Sequence, residues 1–599
     1  MRVKFEKSLT FILIMILVVV ISACNSTENI TAPTGTPSAT EAPSATEKPE
    51  VTEAPGVTEA PEVTEAPEVT EAPEVTEAPE VTEAPEVTEA PAVTDVPAVT
   101  VEPEVEPTDV PGKTDKNADI IPIRVETGQY SFEENDPYRV TAYFSCDKVS
   151  LAGEYASSYP LLQAAFDKIN SDNEGAMAAN ADFIAENLAD TDTESEFFIP
   201  LFSYRYLRAV RADDNAVSLL KITDNYFAMS SVIWYEGYNV NPSTGKEIGI
   251  GDIVGDRSAF SEMIAQRLED RYGELLDIDR ETLLSSLDML VENESMPFVI
   301  GYDGFTFYLK DMIIGGYMDT TYAVTVSFAD AEASDAFSYD PALSCSAEDY
   351  IIQLPFGYGA DYMLNGPENP AVNLMVAGLE RNEFNEYNAT GIYADFDTMV
   401  IDETVYGYEI TPYLVKNNGK FYFYIQYINS SDDEFLAVYK LSKGKAVRQN
   451  EEGSLIGFTE KVLSGTSEEM EILTRNDMLG TTFEKAMYTV GKNGMPAQSS
   501  KYLEFVSPIE LTLSVPFEIG AIDPEIAFDP ENAGTGEFDY ELEFAVGDKL
   551  TAVYASGDHS SCQIFCTNSD GEWGTFTCGA SMINNMWVGD VFSDAPNYD

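Results

Sequence analysis

The side chains best suited to covalent or metal chemistry gather near the C-terminus. His559 is the single histidine among 599 residues. It stands in Ser556-Gly557-Asp558-His559-Ser560. A Ser-His-Asp triad would have to recruit it, yet the string reads as a surface loop and no Gly-x-Ser-x-Gly elbow accompanies it. One histidine also removes three-His zinc sites, His-Glu-x-x-His helices and paired-His di-metal centres. Cys562, Cys566 and Cys578 follow, the first two flanking a strand and the third on its return after Asn568-Ser569-Asp570-Gly571. Three fates are open to them: a cross-strand bridge from Cys578, a zinc site of three thiolates with His559, or reduced, part-buried thiols. Cys-x3-Cys on a strand lacks the tight knuckle that zinc favours, so reduced thiols are the expectation. Cys146 and Cys345 bring the set to an odd five, too sparse for a disulfide scaffold. Calcium has one near-miss. Asn170, Asp172, Glu174 and Gly175 mimic positions 1, 3, 5 and 6 of an EF-hand loop, but Ala181 stands where the bidentate acid is required. A helix end followed by a polar loop explains that stretch better. No Walker A motif and no dinucleotide glycine fingerprint occur. No catalytic residue, metal or cofactor is expected.

Charge narrows the partners. Lys and Arg total 33 against 104 Asp and Glu, a net of −71. Residues 1–118 hold 6 against 23, or −17, which leaves −54 on the remainder. A nucleic-acid-binding body needs the opposite sign. Docking on anionic head groups is disfavoured for the same reason. A cationic ligand would be steered toward such a body.

The elements that position these residues begin with an address. Arg2, Lys4 and Lys7 precede a run from Leu9 to Ile21 that is apolar apart from Thr10. That run is short for a spanning helix, which needs about 20 residues. It ends in Ile21-Ser22-Ala23-Cys24. An aliphatic residue, two small residues and a cysteine resemble the lipobox of bacterial lipoproteins. The resemblance implies a signal peptide over 1–23, cleavage before Cys24, and a lipid on Cys24 that anchors the chain to the outer face of a Gram-positive-type membrane.

Residues 24–118 show no apolar period. A six-residue unit, Thr-Glu-Ala-Pro-Glu-Val, recurs, with a proline at every sixth position from Pro55 to Pro97. That spacing forbids helix and starves a strand ladder of donors. A disordered, self-repelling linker with polyproline II bias is expected. Fully extended at about 3.1 Å per residue it would reach roughly 290 Å.

Folded patterning starts near residue 119. Strand-like runs at Ile120–Val125 and Tyr138–Ser145 precede Tyr159–Asn170, where Leu162, Phe166 and Ile169 make one helical stripe. Phe202–Arg211 turns through Ala212-Asp213-Asp214-Asn215 into Val217–Ile222. Val232–Val240 turns through Asn241-Pro242-Ser243-Thr244-Gly245 into a strand expected at Ile248–Ile253. Two amphipathic helices, Ser258–Leu276 and Arg280–Glu292, follow, the second capped by Asp279. Phe298–Tyr302, Asp303-Gly304 and Phe305–Leu309 read as a hairpin, and Tyr322–Phe328 as a closing strand. Residues 119–340 are therefore an α+β module with an antiparallel sheet and packed helices.

The order of these signals is similar to the RsiV-like extracellular domain. The shared run is Tyr159-Pro160-Leu161-Leu162, Val210-Arg211-Ala212-Asp213, Gly237-Tyr238-Asn239-Val240-Asn241 through Thr244-Gly245-Lys246, and Asp303-Gly304-Phe305-Thr306-Phe307-Tyr308. That domain is a pair of adjoining domains of unknown function. It occurs in a lysozyme-sensing membrane anti-sigma factor and beside a polysaccharide deacetylase domain in a peptidoglycan-modifying enzyme. This chain departs from the family at Phe227-Ala228-Met229-Ser230-Ser231 and at Lys310-Asp311-Met312-Ile313-Ile314. It is expected to lack both the sigma-binding segment and the deacetylase.

The second half is β-rich. Over 345–470, Tyr406–Val415 turns through Asn417-Asn418-Gly419 into Lys420–Ile428, followed by Phe435–Leu441. On the middle strand Phe421, Phe423, Ile425 and Tyr427 share one face and Tyr422 and Tyr424 the other. A packed core is the expectation for these rings, with an exposed sugar-stacking platform as the alternative. Residues 471–599 read as short strands, with a small SH3-like barrel as the fold-level analogy. The sequence thus describes a non-catalytic envelope lipoprotein that binds or senses a basic protein such as lysozyme, or a wall glycan. A structural or adhesion accessory is the first alternative and a wall-glycan-modifying enzyme the second.

Overall fold

The computed structural model describes residues 118–596, except 134–139, 154, 189–200, 228–229, 277, 317–319, 365–370, 382–386, 396–397, 430–433, 451–454, 460–461, 530–535 and 559–560. The lipid-attachment residue Cys24, the linker up to residue 117 and His559 lie outside the described residues.

Strands β1 (Ile123–Glu133) and β2 (Val140–Leu151) pair antiparallel, with Val125 opposite Val149. Helix α1 (Pro160–Leu188) then carries the chain across, and β3 (Leu201–Ala212) returns parallel to β2. A parallel neighbour requires such a crossover. Strands β4 (Val217–Phe227) and β5 (Ser230–Val240) follow as antiparallel neighbours. Leu162, Phe166 and Ile169 bury the expected stripe on the sheet. The helix does not end at Asn170, however. Its continuation is held by polar groups that the apolar period does not register. The Asn170 amide accepts from the Val149 N–H (3.0 Å) and donates to its carbonyl (2.8 Å). Lys148 pairs with Glu174 at 2.5 Å, Lys168 with Asp172 at 2.6 Å, and Met177 packs with Ala142, Phe144 and Cys146. The stretch resembling a calcium loop is therefore helix, with its side chains engaged in structural bonds.

The turn after β5 closes as expected. Asn241 N–H donates to the Lys246 carbonyl (2.9 Å), and Gly245 takes the positive φ of 64° that the turn needs. The return strand does not form. One bridge, Val240 to Glu247, is followed by a 3-10 turn at Ile250–Asp252. Ile250 and Ile253 leave the sheet for the core beneath the next two helices. These are α2 (Arg257–Tyr272) and α3 (Arg280–Glu292). Asp256 and Asp279 cap them by accepting from the Ala259 and Thr282 N–H groups. Both helices cover a three-stranded sheet of β6 (Phe298–Ile300), β7 (Gly304–Lys310) and β8 (Thr321–Ser327), with Phe260, Leu268, Leu287, Phe305 and Phe307 between.

This small sheet meets the large one at Gly237. A Cβ there would lie 1.7 Å from the Phe298 carbonyl oxygen. The approach lets the Asn239 side chain donate to that carbonyl (3.0 Å), while the Ser218 hydroxyl accepts from Ile300 N–H (3.0 Å). Gly237→Ala must push the two sheets apart, at a cost of about 1–3 kcal/mol. Calorimetry should show a lower Tm; an unchanged Tm would mean that the contact is not tight.

The later chain supplies β9 (Tyr350–Gln353), β10 (Gly359–Tyr362), β11 (Val372–Arg381), β12 (Tyr387–Ala394) and β13 (Thr398–Met399). Then come β14 (Tyr408–Asn417), β15 (Lys420–Ile428), β16 (Glu434–Ser442), β17 (Lys445–Arg448), β18 (Leu455–Phe458) and β19 (Val462–Gly465). Strands from both sides of residue 345 form one 11-stranded sheet, β17-β16-β15-β14-β9-β19-β1-β2-β3-β4-β5. A four-stranded sheet, β10-β11-β12-β13, shares its core through Tyr362, Leu374 and Ile392 against Phe423 and Tyr427.

Next come β20 (Met470–Asn476), β21 (Thr482–Val490), β22 (Pro496–Gln498), β23 (Leu503–Thr512), β24 (Phe517–Ile522), β25 (Glu537–Phe544), β26 (Lys549–Asp558), β27 (Ser561–Asn568) and β28 (Trp573–Cys578). With β18 they form a 10-stranded sheet, β18-β20-β21-β23-β26-β27-β28-β24-β25, with β22 beside β21. No closed barrel occurs among the described residues, so the SH3-like analogy is corrected to an open sheet with β18 and β25 at its ends. The α+β class stands, mostly strand, and every strand pair among the described residues except β2–β3 is antiparallel. No described helix is long and apolar enough to cross a membrane.

Candidate functional site

Strand β3 alternates in an unusual sense. Ser203, Arg205, Leu207 and Ala209 are buried on the α1 side. Phe202, Tyr204, Tyr206 and Arg208 point the other way and are only half-buried. Ser203 can sit beneath the helix because partners await it: it donates to the Asn225 side chain (2.6 Å) and accepts from the Asn180 amide (3.3 Å). Strand geometry then places the three rings two residues apart on the other face, where Tyr206 packs against the core shared with the four-stranded sheet.

The rings form a continuous stripe. Phe202 stacks on Tyr204 (centroids 6.0 Å, planes 7° apart), and Tyr204 on Tyr206 (5.7 Å, 8°). Tyr143, beside Phe202 in the parallel register, tilts onto Tyr204 at 5.7 Å. Tyr358, from the chain after β9, extends the stripe from Tyr206 at 5.6 Å. The Arg208 guanidinium lies 5.4 Å from the Tyr206 centroid and pairs with Asp147 at 2.6 Å. Asp147 is fixed in turn by donors from Leu207 N–H (3.0 Å) and the Thr127 hydroxyl (2.6 Å). At the far end the Tyr358 hydroxyl donates to Asp224 (2.8 Å). Burial raises the Tyr143, Tyr206 and Tyr358 phenols above their ordinary value, with the Asp224 carboxylate adding to the rise at Tyr358. Their hydroxyls remain donors at neutral pH.

Such a surface offers part-exposed, mutually stacked aromatic rings beside hydroxyls and the Asp224 carboxylate. It suits a ligand that is flat and apolar on its face and polar at its edge. It contains no nucleophile poised beside a base. The aromatic run singled out on β15 has a different role. Phe423, Ile425 and Tyr427 are at most 1% exposed in one core, and Tyr422 and Tyr424 are buried in another. Part-exposed rings lie on β3 instead, where aromatics at every second position from 202 to 206 are the signal in the sequence.

The thiols do not assemble a metal site. Cys562 and Cys566 lie four residues apart on β27, about 13 Å along a strand at 3.3 Å per residue. Two thiolates on one zinc sit within twice the Zn–S distance of about 2.3 Å. A shared zinc is therefore excluded by geometry. Cys562 faces Cys578 in register, and all three thiols are buried and in no disulfide. Burial raises Cys566 to about 12 and Cys578 to about 11. Among the described residues no group of three metal-ligating side chains occurs.

No protein-family model matches the chain, and no curated protein does. Among solved structures, a DUF3298-family protein of Bacteroides fragilis aligns over 38% of this chain and 98% of its own, at 10% identity and a TM-score of 0.27. A DUF3298-family protein of Pseudomonas aeruginosa aligns over 38% of this chain and 97% of its own, at 12% identity and a TM-score of 0.26. Likenesses of this size carry no argument about function.

Proposed function

We propose that this chain is a non-catalytic binding protein of the cell envelope, anchored through a lipid on Cys24, and that the stripe on β3 holds a wall glycan. The half-exposed stack Phe202–Tyr204–Tyr206 is the observation that carries it. Sugar rings present C–H faces to aromatic planes and hydroxyls to their rims, which is the division of polarity found here. The reach expected of residues 24–118 would allow the body to lie among wall polymer. A second reading, capture of a basic protein such as lysozyme, is favoured by the charge of −71.

Retention on insoluble wall polymer tests the proposal. Tyr204→Ala removes the centre of the stack and should weaken retention about tenfold, the loss expected of a central aromatic anchor. Raising the salt should change glycan retention little, whereas lysozyme binding driven by charge should fade as the Debye length falls to about 8 Å at 0.15 M. Equal retention of Tyr204→Ala and the unaltered protein would remove the stripe as the binding surface.

A further inference from the structure

The 10-stranded sheet ends in β25, whose outer backbone groups have no strand partner among the described residues. Edge strands are ordinarily protected by lysine, proline or a covering segment, because an unpaired ladder recruits other chains. This strand reads Glu537-Phe538-Asp539-Tyr540-Glu541-Leu542-Glu543-Phe544, an unbroken alternation of acid and apolar residues without lysine or proline. Its two faces differ sharply. Phe538 and Tyr540 stack at 5.3 Å and are 44% and 57% exposed, extending the apolar face that Leu542 and Phe544 begin. On the opposite face Glu543 stands in register with Glu518 of β24, and Glu541 is two residues along. All three carboxylates are exposed, and none has an ion-pair partner among the described residues. Like charges directly opposite each other on neighbouring strands destabilise the pair.

We propose that β25 is a docking edge for an extended, basic segment of a partner protein, which adds to the sheet as a further strand. Main-chain hydrogen bonds to the free ladder would supply affinity, and alternate side chains the selectivity. A segment with Lys or Arg at every second position sets its cations against Glu518, Glu541 and Glu543. Its intervening apolar side chains lie beside Phe538 and Tyr540. The same charges reject the other candidates. A second copy pairing edge to edge would bring glutamate onto glutamate. The linker of this chain, with 22 acids against 3 bases over residues 24–118, would be repelled. The inference is independent of the stripe on β3, which lies in another sheet.

The test titrates the full chain with a capped peptide alternating Lys and Val, at 0.15 M salt. A second peptide carries N-methyl groups on alternate amides, which keeps its charge and side chains but removes backbone donors. Saturable one-to-one binding of the first is expected, with the N-methylated peptide at least about tenfold weaker, since several hydrogen bonds of about 0.5–1.5 kcal/mol are lost. The E541K/E543K double variant should weaken binding at least as much, while E525K, on the nearby exposed turn, should not. Both substituted glutamates are exposed, so the fold is retained. Equal affinity for the two peptides, unchanged binding by E541K/E543K, or no saturable binding would each overturn the proposal. Dimerisation of the peptide-free protein that E541K/E543K abolishes would overturn it in favour of a second copy.

Discussion

Replacing Arg211 with methionine lowers the free energy of unfolding by about 3–5 kcal/mol, the penalty for leaving a buried charge without its partner. Arg211 and Asp213 are both fully buried. The guanidinium uses all its donors: Nε and Nη2 grip the Asp213 carboxylate (2.8 and 3.1 Å), Nη1 donates to Leu343 O (2.5 Å) and Gly301 O (3.4 Å), and Nη2 also donates to Cys345 O (2.9 Å). Asp213 accepts in addition from the N–H groups of Asn215, Ala216 and Ala347. One ion pair thus ties the β3–β4 turn to the hairpin of the small sheet and to the segment leading into β9. Asp213→Asn should cost a similar amount, because the cation is then the group left alone. Arg211→Lys should rescue little, since an ammonium with three donors cannot serve five acceptor atoms set around a planar fork. The double variant R211M/D213N should lose clearly less than the sum of the single losses. Urea titration reads all four. A single-variant loss below about 1 kcal/mol would show the pair to be replaceable.

What the sequence made legible was local. Asp303-Gly304 and Asn418-Gly419 mark hairpins that the chain forms, and Asp279 starts α3 at the residue expected. What escaped depended on partners distant in sequence. The apolar period of α1 is interrupted by the polar run Asn170–Gly175, which is held by Asn170 on the Val149 backbone and by Glu174 on Lys148. The expected strand after Gly245 failed because Ile250 and Ile253 found a deeper core under the helices.

The stripe escaped for a related reason, an inversion of the ordinary order. Ser203 and Arg205 alternate with aromatics, and binary patterning would turn the rings inward. In the fold the polar residues face α1, and burial there lowers the Arg205 pKa. The rings of this stripe touch one another along a single strand, with Ser203 and Arg205 rather than apolar residues between them beneath the helix, which sets them apart from scattered surface aromatics. This is the argument for reading the stripe as a binding surface and the β15 rings as core.

Glu484→Gln should remove a pH dependence of stability and leave the protein about 3 kcal/mol more stable than the unaltered chain above pH 7. Glu484 sits on β21 with no exposed surface. The Asn476 amide donates to its Oε1 (2.6 Å), and Oε2 has no hydrogen-bond partner among the described residues. Burial raises its pKa from 4.5 to about 7, only partly opposed by the Asn476 hydrogen bond. The folded state therefore binds the proton more tightly than the unfolded state. Its stabilising contribution is complete below about pH 4.5 and is lost as pH rises through about 7. A neutral glutamine keeps the shape without the charge, so the two proteins should be close in stability near pH 4.5 and diverge as pH rises. Urea midpoints measured from pH 4.5 to 8.5 read the difference directly. A difference that does not change over that interval would mean that Glu484 is ionised or hydrated in the fold. Growth of the difference with pH would identify a carboxyl held neutral by its surroundings, and would make the C-terminal sheet firmest on the acid side of neutrality.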